Sequence, residues 1–81
     1  MKLESSMKNL QPDPNTLKQL VTIKMPFGKY KGHLIADLPS AYLAWFMRQG
    51  MPSGKLGVLL ITMHEIDING LRKLLDPLRI D

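Results

Sequence analysis

Residues 25–46 read MPFGKYKGHLIADLPSAYLAWF. The reading of this stretch decides the fold, because it holds a tight turn, a helix start and the main aromatic cluster. Gly28 and Gly32 bracket Lys29-Tyr30-Lys31. Glycine reaches positive φ and lets backbone approach closely, so both are turn or bulge candidates. Met25 precedes a proline and is pushed to extended geometry. Extended residues on either side, 22–27 and 33–36, predict a small two-stranded β-hairpin. An isolated hairpin is unstable in water, so it must pack on helices.

Helices are predicted on both sides of it. Downstream, Asp37-Leu38-Pro39-Ser40 marks a helix start, with the proline in the first turn. That helix runs over 39–49, with Gly50 as its C-terminal cap. Ser53 is an N-cap candidate for a helix over 53–68. Leu56, Leu59, Leu60, Met63 and Ile66 form its stripe, while Val58, Ile61 and Ile68 fall off it. A helix this apolar all round is central or faces a partner. Asn69-Gly70 ends it, and Leu71, Leu74 and Leu75 suggest a last helical turn pair closed by Asp76-Pro77. Upstream, Asp13-Pro14 predicts a helix over about 13–22, with Leu17, Leu20 and Val21 on one face. Residues 1–11 are expected to be a flexible or weakly helical segment, and 12–81 a single small domain. The predicted fold class is therefore α+β: a two-stranded hairpin packed on three to four short helices.

The totals bound what such a domain can do. A chain of 81 residues buries only about 60% of its unfolded surface, so its core is marginal without help. It contains no cysteine, which excludes disulfides and thiolate metal sites. His33 and His64 lack ligand-like spacing, so neither a metal nor a cofactor is expected. Helix packing or a homodimer remains as the source of stability. Nothing near the N-terminus has a signal peptide's apolar run, and no stretch approaches the roughly 20 apolar residues of a membrane span. The expectation is a cytoplasmic protein that does not enter membranes. The net charge of +4 permits nucleic-acid binding without demanding it.

With those residues in view, the chain resembles a family of small bacterial proteins labelled "putative quorum-sensing-regulated virulence factor". The matching motifs are Met25 to Gly32, Asp37-Leu38-Pro39 and Tyr42-Leu43-Ala44-Trp45-Phe46. Gly54-Lys55-Leu56-Gly57, the block Ile66 to Leu71 and Pro77-Leu78-Arg79 complete the likeness, which covers Leu20 to Arg79. Its Phe-Gly-Lys-Tyr-Lys-Gly turn and Tyr-Leu-x-Trp helix are also similar to a small module that follows the nuclease domain of some bacterial 3′–5′ exonucleases. That second resemblance implies nucleic-acid work but no catalysis, since the metal-binding acidic residues of those enzymes lie in a separate domain.

The residues themselves support two readings of the turn. In one, Lys29 and Lys31 meet phosphates, Tyr30 stacks on a base, and Lys24 and Arg48 add charge. In the other, the glycines serve only turn geometry; the strand alternation that puts both lysines on one face turns Tyr30 into the core. The turn lacks P-loop spacing. Lys55 beside the start of helix 53–68 could assist an anion there, but Ser53 as a plain cap accounts for those residues. Tyr42, Trp45 and Phe46 at helical spacing read as core, with Trp45 and Phe46 at least partly buried. Neighbouring helical residues such as His64 and Glu65 do not converge, and no catalytic constellation is found. The expected function is a non-enzymatic binding or regulatory module associated with nucleic acid through Lys24, Lys29, Tyr30, Lys31 and Arg48. The alternative is a homodimeric adaptor using the apolar faces of helices 39–49 and 53–68.

Overall fold

The computed structural model describes residues 13–79; the N-terminal segment expected over 1–11 lies outside them. Among these residues there are three α-helices: α1 (Pro14–Leu20), α2 (Ser40–Gln49) and α3 (Gly54–Ile68). Two 3₁₀ segments, Ile35–Asp37 and Arg72–Leu78, complete the regular structure. Among the described residues no helix is long and apolar enough to cross a membrane.

The expected α+β class is overturned: the described residues contain no β-strand and no sheet. What remains of the hairpin is one antiparallel bridge, Lys24 to Leu34. The Ile35 amide donates to the Ile23 carbonyl at 3.0 Å and the Met25 amide to the His33 carbonyl at 2.7 Å. Pairing goes little further: the Gly32 amide also donates to the Met25 carbonyl at 2.8 Å. On one side α1 ends at Leu20 and a 3₁₀ turn begins at Ile35. On the other, Pro26 has no amide to donate, and the chain coils into two consecutive turns. The Lys31 amide reaches the Gly28 carbonyl at 3.1 Å, and the His33 amide reaches that of Tyr30 at 3.0 Å. Gly28 and Gly32 both take positive φ, 82° and 90°. The glycines thus make turns, as their type predicts, but in place of a ladder.

α3 is the central element; α1, α2 and the 3₁₀ turn Ile35–Asp37 all pack against it. Its inward face buries Leu59, Leu60, Met63 and Ile66, while Val58, Ile61 and Ile68 stay exposed. Leu20 and Val21 from the end of α1, Met25, Ile35, Leu38, Leu43, Phe46 and Leu75 fill the rest of the core. Each such fully buried side chain is worth about 1.5–3 kcal/mol of transfer free energy.

The helix ends follow rules of their own. α3 stops in a Schellman arrangement: Gly70, at φ 67°, sends its amide to the Asp67 carbonyl, and the Leu71 amide returns to that of Ile66. Gly50, at φ 112°, caps α2 through the Phe46 carbonyl. The N-caps behave differently. Neither Asp13 nor Ser53 makes a side-chain capping bond; α1 relies on Pro14, and α3 enters through Gly54 at φ 78°. Three positions later Gly57 lies against the 51–52 connector. A Cβ there would collide with the Pro52 carbonyl oxygen.

One polar knot joins the helices. The Arg72 guanidinium donates to Asp67 Oδ1 at 2.7 Å and to the carbonyls of Ala36 and Leu38 at 3.1 and 2.7 Å. The Ser40 hydroxyl donates to the same Asp67 oxygen at 2.8 Å. Arg72 holds the Asp67 carboxyl below the ordinary carboxylate range; burial opposes this and Ser40 assists it. A second pair, Arg79 to Asp37 at 3.0 Å, ties the C-terminal 3₁₀ segment to the first one.

Two predictions follow from these contacts. Gly57→Ala raises helix propensity, yet the clash with Pro52 dominates. It should lower stability by about 1–3 kcal/mol in urea titration; a stabilised variant would refute the packing argument. For Asp67, folded-state pKa lies below the unfolded value. Its contribution is therefore fully present above the unfolded pKa and disappears as pH falls through the folded one. Asp67→Asn should cost about 1 kcal/mol at neutral pH, a figure kept low because the Arg72 side chain is 37% exposed. The same variant should show a flatter loss of stability on acidification than the parent.

Candidate functional site: an aromatic groove beside a basic loop

The loop of residues 25–34 lies over α2, and the two enclose an open groove of about 440 Å³. Phe27, Gly28 and Lys29 form the loop side; Tyr42, Trp45 and Phe46 form the helix side. The spacing of the three helical residues, i, i+3 and i+4, puts them on one face of α2. Their rings are locked in edge-to-face contact, Tyr42–Phe46 at 5.1 Å and Trp45–Phe46 at 5.0 Å between centroids. Tyr42 and Trp45 lie nearly parallel, 5° between planes and 6.2 Å apart.

Gly28 is what allows loop and helix to meet. A Cβ on it would sit 2.8 Å from the Tyr42 hydroxyl oxygen, and its φ of 82° is strained for any other residue. Tyr30 packs edge-on to Tyr42 at 4.6 Å and to His33 at 5.5 Å. It is half-buried against the core, held there by these ring contacts and not by the alternation of a strand, which is absent from the loop. Lys29 extends its ammonium over the Tyr30 ring, 5.6 Å from the centroid, within cation–π range.

The residues expected to contact phosphate are not all gathered in one place. Lys29 lines the groove, and Lys31 is exposed on the same loop two positions on. Arg48 is exposed on the last turn of α2, one turn beyond Trp45. Lys24 instead lines a second hollow of about 230 Å³ together with Lys55 and the apolar residues Ile23, Leu56 and Leu59.

Two features escaped the reading of the sequence. The first is the exposure of the aromatic residues. Phe46 is buried, but Trp45 keeps 44% and Phe27 45% of their surface. Phe27 sits between a proline and a glycine, a place where a large aromatic has no helical or strand face to join. That position is the signal that could have marked it. The second is charge segregation. Between Pro14 and His64 there are six Lys/Arg and one acidic residue, Asp37. Asp37 is engaged by Arg79. The ion pairs among the described residues use Arg72 and Arg79; none uses Lys24, Lys29, Lys31, Arg48 or Lys55.

Elsewhere the titratable groups serve structure. Asp67 is committed to Arg72 and Ser40. His64, one helical turn before it, leaves Nδ1 buried without a hydrogen-bond partner among the described residues. No three His, Asp or Glu side chains among the described residues come together as a metal site.

Fold and groove together define a small all-helical domain that presents half-exposed aromatic rings next to uncompensated lysines. The chain belongs to the family described as "Putative quorum-sensing-regulated virulence factor", which matches residues 13–78. It is 47% identical over 66 residues to "Uncharacterized protein YpeB" of Escherichia coli strain K12, covering 76% of this chain and 92% of that protein. The protein of the same description from Escherichia coli O157:H7 gives the same figures. No solved structure matches the chain.

Proposed function

We propose that this domain is a non-enzymatic nucleic-acid-binding module that works at the mouth of the aromatic groove. The observation that carries the reading is the juxtaposition of Lys29 with the exposed rings of Phe27 and Trp45 in a region of the chain nearly free of carboxylates. Lysine ammonium groups on a glycine-containing loop suit phosphate contacts, which supply affinity without reading sequence. Exposed aromatic faces supply stacking, which tolerates any base. Lys31 and Arg48 extend the positive surface on the loop and on α2. Lys24, with Lys55, contributes to the field but lies in the second hollow. Tyr30 supports Tyr42 and Lys29 rather than offering a free face.

A second reading rests on a separate surface. Val58, Ile61 and Ile68 are exposed along the outer side of α3, followed by Leu71 and Leu74. Large apolar residues grouped in this way mark interaction sites on small proteins. A homodimeric adaptor pairing through α3 fits them, and twofold pairing is the commonest form of self-association.

The first reading predicts salt-dependent binding of oligonucleotides. The Lys29→Ala/Lys31→Ala pair should weaken it uniformly across sequences and reduce the slope of log affinity against log salt by about 2. Unchanged affinity in that double variant would refute the loop's role. The second reading predicts a dimer by light scattering at micromolar concentration, with Ile61→Glu returning it to monomer. A monomeric parent would remove the dimer.

A further inference from the structure

We infer that the groove accepts one unpaired base, inserted between Phe27 and Trp45, so that the domain selects single-stranded over duplex nucleic acid. This rests on the nucleic-acid reading above and specifies its ligand.

The groove's walls set the argument. Apart from Lys29 and the tip of Tyr42, it is lined by aromatic rings and the bare backbone of Gly28. Its volume of about 440 Å³ is at the small end for ligand pockets and suits one planar heterocycle with its sugar, not a wide ligand. The two rings that remain most open, Phe27 and Trp45, belong to opposite sides, one on the loop and one on α2. A flat apolar group entering from solvent meets an aromatic side chain on each side. Trp45 is itself held in place: Phe46 packs edge-on to it at 5.0 Å and Tyr42 lies parallel to it at 6.2 Å.

Charge identifies the occupant. An apolar groove alone would take any hydrophobic side chain. Here the rim carries Lys29, and Lys31 follows on the same loop, with no acidic residue between Pro14 and Ala36. A ligand that is planar and apolar in one part and anionic in the next matches a nucleotide within a strand: base in the groove, flanking phosphates on the lysines. Bases in a duplex have their faces covered by neighbours, and extracting one costs unpairing and unstacking. An unpaired base enters without that cost. The groove has few polar groups, so it discriminates strandedness and not sequence.

The chain contains a single tryptophan, Trp45, so its emission reports directly on the site. The full chain is titrated at low salt with a short oligothymidylate and with a blunt duplex of the same length. The oligothymidylate should quench Trp45 and bind about tenfold or more tighter than the duplex, as expected for one stacked base. Phe27→Ala and Phe27→Leu should each remove most of that preference; the leucine keeps apolar bulk but not the flat face. Circular dichroism checks that both fold, as the 45% exposure of Phe27 leads one to expect. Equal affinity for the two probes with unaltered Trp45 emission overturns base insertion while leaving phosphate binding intact. Binding of neither probe overturns the nucleic-acid reading itself, and base insertion with it.

Discussion

The hydrogen-bonded knot around Asp67 is the polar constraint that ties α3, the segment 36–38 and the start of α2 together on top of the apolar core. A chain with no cysteine, whose described residues form no sheet, must hold short helices in register by other means. Arg72 does so with three donors aimed at three different targets: a carboxylate on α3 and two carbonyls of the segment 36–38. The planar guanidinium suits this task in a way a lysine ammonium does not, because its donors diverge at fixed angles. The two carbonyls belong to a turn too short to satisfy its own backbone, so Arg72 supplies what a strand partner would otherwise have supplied. Ser40, the first residue of α2, bonds to the same carboxylate. This contact links Asp67 to the start of α2, the helix that carries Tyr42, Trp45 and Phe46.

The opposite wall has a different origin. Phe27 reaches its place because the loop is not a hairpin. In a regular ladder successive side chains would alternate across a strand, and the loop could not coil over α2. Pro26 ends the ladder, and the turns that follow bring the backbone of Gly28 against the Tyr42 hydroxyl, at a distance that leaves no room for a side chain. The single bridge at Lys24 and Leu34 then acts as a clasp at the base of the loop. Loops positioned by a rigid scaffold are where binding residues concentrate, and here the scaffold contacts reach the loop through its glycine.

This division explains which parts were legible from the residues alone. The three α-helices could be placed to within about two residues because apolar spacing and chain breakers agree there. Gly50 and Asn69-Gly70 end two of them as expected. The inward and outward sides of α3 also followed from spacing. The loop was misread because extended propensity at residues 22–27 and 33–36 is a local preference, whereas a ladder needs a minimum length of uninterrupted pairing. Helix entry at Ser53 was assigned to a side-chain cap, but Gly54 provides the turn through its φ. Trp45 was placed toward the core since aromatic residues at helical spacing usually lie there. Leu43 and Phe46 already occupy the buried side of α2, and a ten-residue helix against a small core has no room for a third large inward side chain. Of the proposed contact residues, Lys29 could be found from the turn alone. Its partner Phe27 could be found only after the loop's path was known.

The placement of these aromatics bears on how the domain balances stability against function. Burying apolar area is worth about 25 cal/mol per Å², and a domain this small has little stability to spare. Even so, Phe27 and Trp45 stay half-exposed while Leu, Ile and Met side chains fill the interior completely. Trp45 is not loosely held, because Phe46 and Tyr42 pack its ring from two directions. A ring fixed in place yet open on one face loses little conformational entropy when a flat partner stacks on it, and preorganisation of this kind strengthens binding without enlarging the interface. Phe27 faces the groove from a loop held by turn bonds, by cross-loop bonds at Met25 and by the Lys24–Leu34 bridge. With the core already filled by other side chains, Trp45 on its helix and Phe27 on its loop leave two aromatic faces open beside Lys29, and packing alone does not account for large rings at both of these positions.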